Sequence, residues 1–358
     1  MMDYAVKFST ALPKHEPKRY IATSMFAMLA LGLVGCQKPS ETSSATPAST
    51  AKTTASAVAS GEKKTVAITA IVDHPALDAV RQGVIEELAA KGYKEGQNLT
   101  ITYQSAQGNN GTAGQIAKQF IADKPDAIVA ISTPSAQPLV AGTKDIPIIF
   151  SAVTDPVTAK LVSNMDAPGT NVTGASNAID FEPQLALMKQ VYPNVKNIGY
   201  IYSPGEVNSS VILKRLKEKV APMGITVHEA AANNSTEMAM ATQGLASKVD
   251  LIYTPTDNHV MSAYEAISKA AAATKTPLFS MDTSTVPRGA AVAIGVNYLD
   301  LGRETGKIVY QVLQGTSPAT IPVYRVKKLD IHVSPKNAAA QGLTLPQAVI
   351  DKADKVIE

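Results

Sequence analysis

At 358 residues with 45% hydrophobic side chains, the chain is too long for one ordinary core and is sized for two globular domains plus appendages. Charged residues make up only 18% and the net charge is +3, so there is no basic stripe and nucleic acid is excluded as a partner. The single cysteine, Cys36, excludes a disulfide framework and a cysteine metal cluster.

In chain order, Lys14, Lys18 and Arg19 precede a short apolar stretch at 25–35. Basic and then apolar is the order of a secretory signal, and the stretch is too short to cross a bilayer as a helix. It ends Leu33-Val34-Gly35-Cys36. Small residues before the sole cysteine resemble the lipobox of bacterial lipoproteins. That resemblance implies a signal peptide over 1–36, cleavage before Cys36, diacylglycerol on its sulfur and acylation of the new amino terminus; the plainer alternative is a signal peptide with an incidental cysteine. Residues 37–64 are Ser, Thr, Ala, Pro and Lys with almost nothing large and apolar. Such a segment cannot offset its ordering entropy and reads as a disordered tether, roughly 30 Å end to end as a coil.

From residue 65 the pattern alternates strand and helix. A buried-type strand at 65–71 is broken by Asp73-His74-Pro75, where Pro75 suits a first helical turn. Leu77, Val80, Val84 and Leu88 recur at helical spacing, and Gly92 is a natural C-cap. Strands follow at 99–103, 127–131 and 147–150, with a helix marked by Ala113, Ile116, Ala117 and Phe120, and 171–174 reads as a crossover. The second half repeats the scheme: strands at 198–202, 225–229, 251–253 and 277–279, and a helix carrying Val211, Leu213, Leu216 and Val220. Residues 291–295 read as a return passage, 298–313 as a helix closed by Gly315, and 321–333 as one strand. The two halves share a phrase, Asp-Ala-Ile-Val-Ala-Ile-Ser-Thr-Pro at 126–134 and Asp-Leu-Ile-Tyr-Thr-Pro at 250–255. Strand and helix in alternation specify an α/β fold of parallel sheets with helices on both faces, in two Rossmann-like lobes facing across a cleft.

Ligands of open parallel sheets bind beyond the carboxyl ends of the strands. Those ends carry Asp73, His74, Ser132, Thr133, Ser135 and Asp155 in the first half, and Glu206, Asn208, Ser209, Asp257, Asn258 and Asp282 in the second. Short polar residues also favour turns for their own sake, and Asp155 and Asp257 read equally as helix N-caps. An enzyme fits less well. There is no Gly-x-Ser-x-Gly elbow, and the only thiol lies in the leader. Gly302-Arg-Glu-Thr-Gly306-Lys307 has one residue too few between its glycines for a phosphate loop and sits in a helical pattern. The five histidines show no metal-ligand spacing, and no cofactor or metal is expected.

The phrases Val-Thr-Asp-Pro (153–156), Asn-Val-Thr-Gly (171–174), Glu206-Val-Asn208-Ser209, Pro255-Thr-Asp257-Asn258 and Gly295-Val-Asn-Tyr-Leu-Asp-Leu-Gly302, in this order, resemble a family of ABC-transporter substrate-binding proteins. Its members include lipoproteins that bind tryptophan or related aromatic amino acids. The resemblance implies a type I periplasmic-binding-protein fold with three hinge crossings, and lobes of 65–175 with 286–320 and of 176–285 with 321–358. It implies a monomer tied to the membrane through its lipid, facing the periplasm or cell exterior, with an ABC permease and ATPase as partners; a ligand sensor feeding a membrane receptor or kinase is the alternative. A bound amino acid needs donors for its carboxylate, for which Ser132, Thr133, Ser135 and Ser209 are candidates beside helix N-termini. Its ammonium needs a carboxylate, for which Asp155, Glu206, Asp257 and Asp282 are candidates, with Asn208 and Asn258 as neutral partners. Tyr202, Tyr253, Tyr298 and Phe150 either touch the ligand side chain or belong to the core. Few cations near the cleft (Arg81, Arg288) argue against a polyanionic ligand.

Overall fold

The computed structural model describes residues 63–358; the expected leader, Cys36 and nearly all of the expected tether lie outside the described residues. The first lobe runs Lys64–Ala70 (β1), Pro75–Ala90 (α1), Leu99–Ser105 (β2), Asn110–Asp123 (α2), Ala127–Ile131 (β3), Thr133–Gly142 (α3), Ile148–Val153 (β4) and Val172–Ser176 (β5). β3, β4 and β5 are buried along their whole length, as strands covered on both faces must be.

The second lobe begins with Phe181–Val191 (α4), Asn197–Tyr202 (β6), Val207–Val220 (α5), Thr226–Ala231 (β7) and Ser235–Ala246 (α6). It continues with Leu251–Thr254 (β8), Asn258–Ser262 (α7), Tyr264–Thr274 (α8), Leu278–Ser280 (β9), a 3-10 turn at Thr283–Arg288, and Val292–Gly295 (β10). Tyr298–Leu313 (α9) and Tyr324–Arg325 (β11) return to the first lobe, and Asp330–Val333 (β12), Pro335–Ala340 (α10), Gln347–Ile350 (α11) and Lys355–Val356 (β13) close the chain.

One sheet has the order β11-β5-β4-β3-β1-β2 and is parallel throughout. The other has the order β13-β12-β10-β9-β8-β6-β7, and only its β10–β12 pair is antiparallel. The chain passes between sheets three times, after β5, after β10 and after β11. This moves two expected lobe boundaries. Residues 286–295 stay with the second lobe, because β10 is hydrogen-bonded between β9 and β12. The expected single strand at 321–333 is two strands in different sheets, since Tyr324 pairs with Ala175 of β5 while Ile331 pairs with Ile294 of β10. The segment at 171–174, expected as a crossover, is mostly the start of β5; the crossing follows it.

α1 and α9 meet almost backbone to backbone. A Cβ on Gly83 would stand 2.2 Å from the Leu299 carbonyl oxygen, and one on Gly302 would stand 2.2 Å from that of Val80. The glycines that superficially suggested a phosphate loop are therefore the flat face of a helix seam, packed over a core that includes Val80, Val84, Leu88 and Val309.

Candidate functional site

Between the lobes lies a tightly closed cleft with about 10 Å³ of free space, about what one water needs. The first lobe supplies His74, Leu77, Ser132, Thr133 and Ala152; the second supplies Asn208, Thr256, Asn258, Met261 and Asp282. Asn177 and Tyr298, beside two of the crossings, complete the wall. Asp282 is the only formally charged side chain in this lining, and no lysine or arginine joins it.

Local structure puts these groups in place. Ser132 ends β3 with φ of 80° and ψ of 161°. Non-glycine residues avoid that conformation, and holding it costs about 1–3 kcal/mol. The Ser132 N–H donating to the Ser151 carbonyl at 2.8 Å pins it there. Ala152, at the end of β4, also has a positive φ, 54°. Two strained residues on adjacent strand ends, both lining one cleft, mark a geometry kept for something other than stability. α3 starts at Thr133, so its first-turn N–H groups, Pro134 excepted, lack intrahelical acceptors.

Several buried polar atoms of the cleft have no hydrogen-bond partner: both ring nitrogens of His74, Ser132 Oγ, Thr133 Oγ1, Asn208 Oδ1 and Asp282 Oδ2. Leaving such groups unpaired costs about 1–3 kcal/mol each. Their concentration in one cavity is what a site made for a polar guest requires. Burial pushes the Asp282 carboxyl above the usual carboxylate range. Burial, with the Arg288 charge, pulls His74 down to about 4, so its imidazole is neutral.

Three aspartates at strand ends look alike in sequence and differ here in one oxygen. Asp155 accepts from the Thr158 N–H at 2.9 Å, and its second oxygen takes the Thr158 hydroxyl and the Arg215 guanidinium of α5. Asp257 caps α7 through the Val260 N–H at 3.0 Å, and its second oxygen takes the Ser203 N–H at 2.7 Å. Asp282 accepts from the Ser284 N–H at 2.8 Å, and its second oxygen has no partner at hydrogen-bond distance, with only the Tyr298 hydroxyl in weak contact. Asp155 is thus a strut from first lobe to second, Asp257 is a buried cap, and neither lines the cleft.

Glu206 also stands behind the wall. It takes Asn208 Nδ2 at 2.9 Å, Asn258 Nδ2 at 2.7 Å, the Asn258 N–H at 3.1 Å and His259 Nδ1 at 2.9 Å. Through these bonds it orients the two asparagines that do face the cleft. Glu206, Asp257 and His259 bring ligand atoms within 4.8 Å of one another, a spacing that suits a cation. All four carboxylate oxygens are already occupied by N–H or O–H donors, so the trio is a hydrogen-bond hub. Like-charge repulsion from Glu206 adds to burial in raising Asp257 to about 6. His259 Nε2 reaches across to the Gly108 carbonyl at 3.0 Å, a second bond between lobes.

Of the other sequence candidates, Ser135 and Ser209 are buried near helix starts but outside the lining. Tyr202, Tyr253 and Phe150 are outside it too, and the Tyr253 hydroxyl is taken by Gln184. Arg81 pairs with Asp78, and Arg288 with Glu265. Tyr298, which sequence left between core and ligand contact, is in the wall. His74, which sequence places only among the polar residues at strand ends, is 5% exposed. Leu77, Ala152, Asn177, Thr256 and Met261 carry no local signal that separates them from core or turn residues.

A family model for ABC transporter substrate binding protein matches residues 65–357. The chain belongs to that family. This substrate-binding protein is 39% identical over 275 residues, 77% of its length and 80% of the relative's, to a tyrosine-binding protein of Clostridioides difficile (strain R20291). It resembles the structure of an ABC domain in complex with L-Trp from Streptococcus pneumonia, at 34% identity and a TM-score of 0.79, covering 83% of this chain and 100% of that one. A ligand-free, open substrate-binding protein with adhesive properties from Clostridium difficile is 39% identical yet has a TM-score of 0.64, covering 82% and 99%. Higher identity with poorer superposition is what a displacement of whole lobes produces. The His259–Gly108 and Arg215–Asp155 bonds place the present lobes in the closed arrangement. An ABC transporter solute-binding protein from Agrobacterium vitis and an ABC sugar transporter subunit from Rhodobacter sphaeroides, 16% and 17% identical, share the type I periplasmic-binding-protein fold alone.

Proposed function

We propose that the protein captures an aromatic amino acid as its zwitterion between the two lobes and delivers it, untransformed, to an ABC permease and ATPase. One observation carries the reading. A buried carboxylate, Asp282 of the second lobe, with one oxygen approached only weakly by Tyr298, shares a cation-free cleft with unpartnered Ser132 and Thr133 hydroxyls at a helix start of the first lobe. The ammonium goes to Asp282 by a charge-assisted hydrogen bond, and the carboxylate goes to Ser132, Thr133 and the α3 N-terminus. Asn208 and Asn258, held by Glu206, supply neutral contacts. The apolar walls at Leu77, Met261 and Tyr298 take the side chain. Each lobe contributes to one end of the same molecule, so binding and closure are one event. The tyrosine- and tryptophan-binding relatives support the aromatic class. Lipidation of Cys36 and a place outside the cytoplasm complete the proposal, with the protein acting as a monomer.

A thermal-shift panel of L-amino acids and sugars on the purified protein tests this. Aromatic L-amino acids are expected to raise the midpoint, as any ligand bound only by the native state does. A rise with sugars and none with amino acids would refute the assignment.

A further inference from the structure

His74 is the one group in the cleft that the zwitterion leaves without employment. The ammonium is met by Asp282 and the carboxylate by Ser132 and Thr133. His74 immediately precedes α1, is 5% exposed, lines the cleft, and, a weak contact to Asn258 apart, has no partner at hydrogen-bond distance on either ring nitrogen. Leu77, one turn further along α1, and Met261 share the wall with it and offer only apolar surface. We infer that His74 is a specificity-determining residue that reads a hydroxyl on the ring of the bound amino acid, selecting tyrosine over phenylalanine. The inference rests on the amino-acid reading of the cleft.

The chemistry of the two partners supports a phenol. A neutral imidazole has one N–H donor and one lone-pair acceptor, and which nitrogen holds which is set by its surroundings. A phenolic hydroxyl both donates and accepts, so it satisfies whichever nitrogen faces it. An indole N–H only donates and serves only one of the two tautomers. A phenyl ring serves neither, and its binding would bury the imidazole with its polar atoms still unpaired. A site built to bond a substrate hydroxyl rejects the analogue lacking it far more strongly than an apolar pocket rejects an extra group. The neutrality of His74, with its pKa drawn down to about 4, fits an uncharged partner.

Calorimetric titration of the intact protein with L-tyrosine, L-phenylalanine and L-tryptophan is the test, repeated on His74→Leu and His74→Gln. Wild type is expected to bind tyrosine at least about tenfold more tightly than phenylalanine. His74→Leu should weaken tyrosine and strengthen phenylalanine, reversing the order, and His74→Gln, which keeps a donor and an acceptor, should retain the tyrosine preference. Equal binding of tyrosine and phenylalanine by wild type, or tryptophan as the tightest ligand, overturns the role of His74 while leaving the amino-acid cleft standing. So does a His74→Leu protein that loses both ligands by the same factor, which would put His74 on the zwitterion. If none of the three amino acids binds wild type, the cleft reading itself falls, and this inference with it.

Discussion

Asp282→Asn should make the empty protein more stable and the loaded protein weaker, and the opposition of the two effects is the diagnostic. Asp282 is 1% exposed, and its nearest fixed donor, the Ser284 N–H at 2.8 Å, serves only one oxygen. Burial raises its pKa, so folding favours the protonated form. Its contribution to stability is therefore full below the ordinary value near 3.9 and falls as pH rises through the raised one; at pH 7 the carboxylate is a burden. Asparagine keeps the cap through Oδ1 and carries no charge to desolvate. A gain of about 1 kcal/mol, or roughly 2–4 °C in the midpoint, is expected at pH 7, shrinking toward pH 4. Binding moves the other way. Losing a charge-assisted hydrogen bond costs about 1.5–3 kcal/mol, so the Kd for an aromatic amino acid should rise roughly 10- to 150-fold. Thermal melts of ligand-free protein and calorimetric titrations at pH 7 read the two quantities. A variant that is less stable when empty, or that binds as tightly as wild type, refutes the assignment of Asp282 to the ammonium.

The buried cap behaves differently: Asp257→Ala strips α7 of its N-cap and leaves the Ser203 N–H unpaired, so stability should fall by about 1–3 kcal/mol in a denaturant melt, with a smaller loss of affinity than Asp282→Asn. Gly302→Val drives a Cβ into the Val80 backbone and should lower the denaturation midpoint by about 1–3 kcal/mol equivalent at unchanged slope. His259 faces acceptors on both ring nitrogens, Glu206 and the Gly108 carbonyl, and the Glu206 hydrogen bond raises its pKa. The imidazolium alone can donate to both, so its support of the closed form is complete below the ordinary value near 6.5 and is lost as pH rises through the raised one. Glu206 shares the second lobe with His259, so only the Gly108 bond is made on closure; ligand binding should take up a fraction of a proton at pH above the ordinary histidine value, seen as buffer-dependent calorimetric enthalpy, and His259→Gln should abolish most of it.

Much of the scaffold was legible because it is local. The spacing of Leu77, Val80, Val84 and Leu88 specifies one buried helical face, and all four are buried. The apolar run at 127–131 specifies a strand covered on both sides, and it is one. Sheet membership of short strands was not legible. Val292–Gly295 and Tyr324–Arg325 are four and two residues long, and their pairing is decided by partners more than a hundred residues away for Tyr324 and by a hinge passage for both. The site was half legible for a similar reason. Strand ends with polar residues point to the cleft, which is why Ser132, Thr133, Asn208, Asn258 and Asp282 were named. Sequence could not separate Asp282 from Asp155 and Asp257, because all three cap a following turn and differ only in what lies beside the second oxygen. His74 follows a strand like any loop histidine; only the three-dimensional cleft, where it shares a wall with Asn258 and Met261 of α7, makes it a buried group.

A crystal structure of the protein with L-tyrosine is the most direct test of the central claim. The ammonium is expected within hydrogen-bond distance of Asp282 Oδ2, about 2.7–3.2 Å, with the carboxylate on the Ser132 and Thr133 hydroxyls. A ligand whose ammonium sits on Asp257 or Glu206, or one bound outside the space between the lobes, would contradict it.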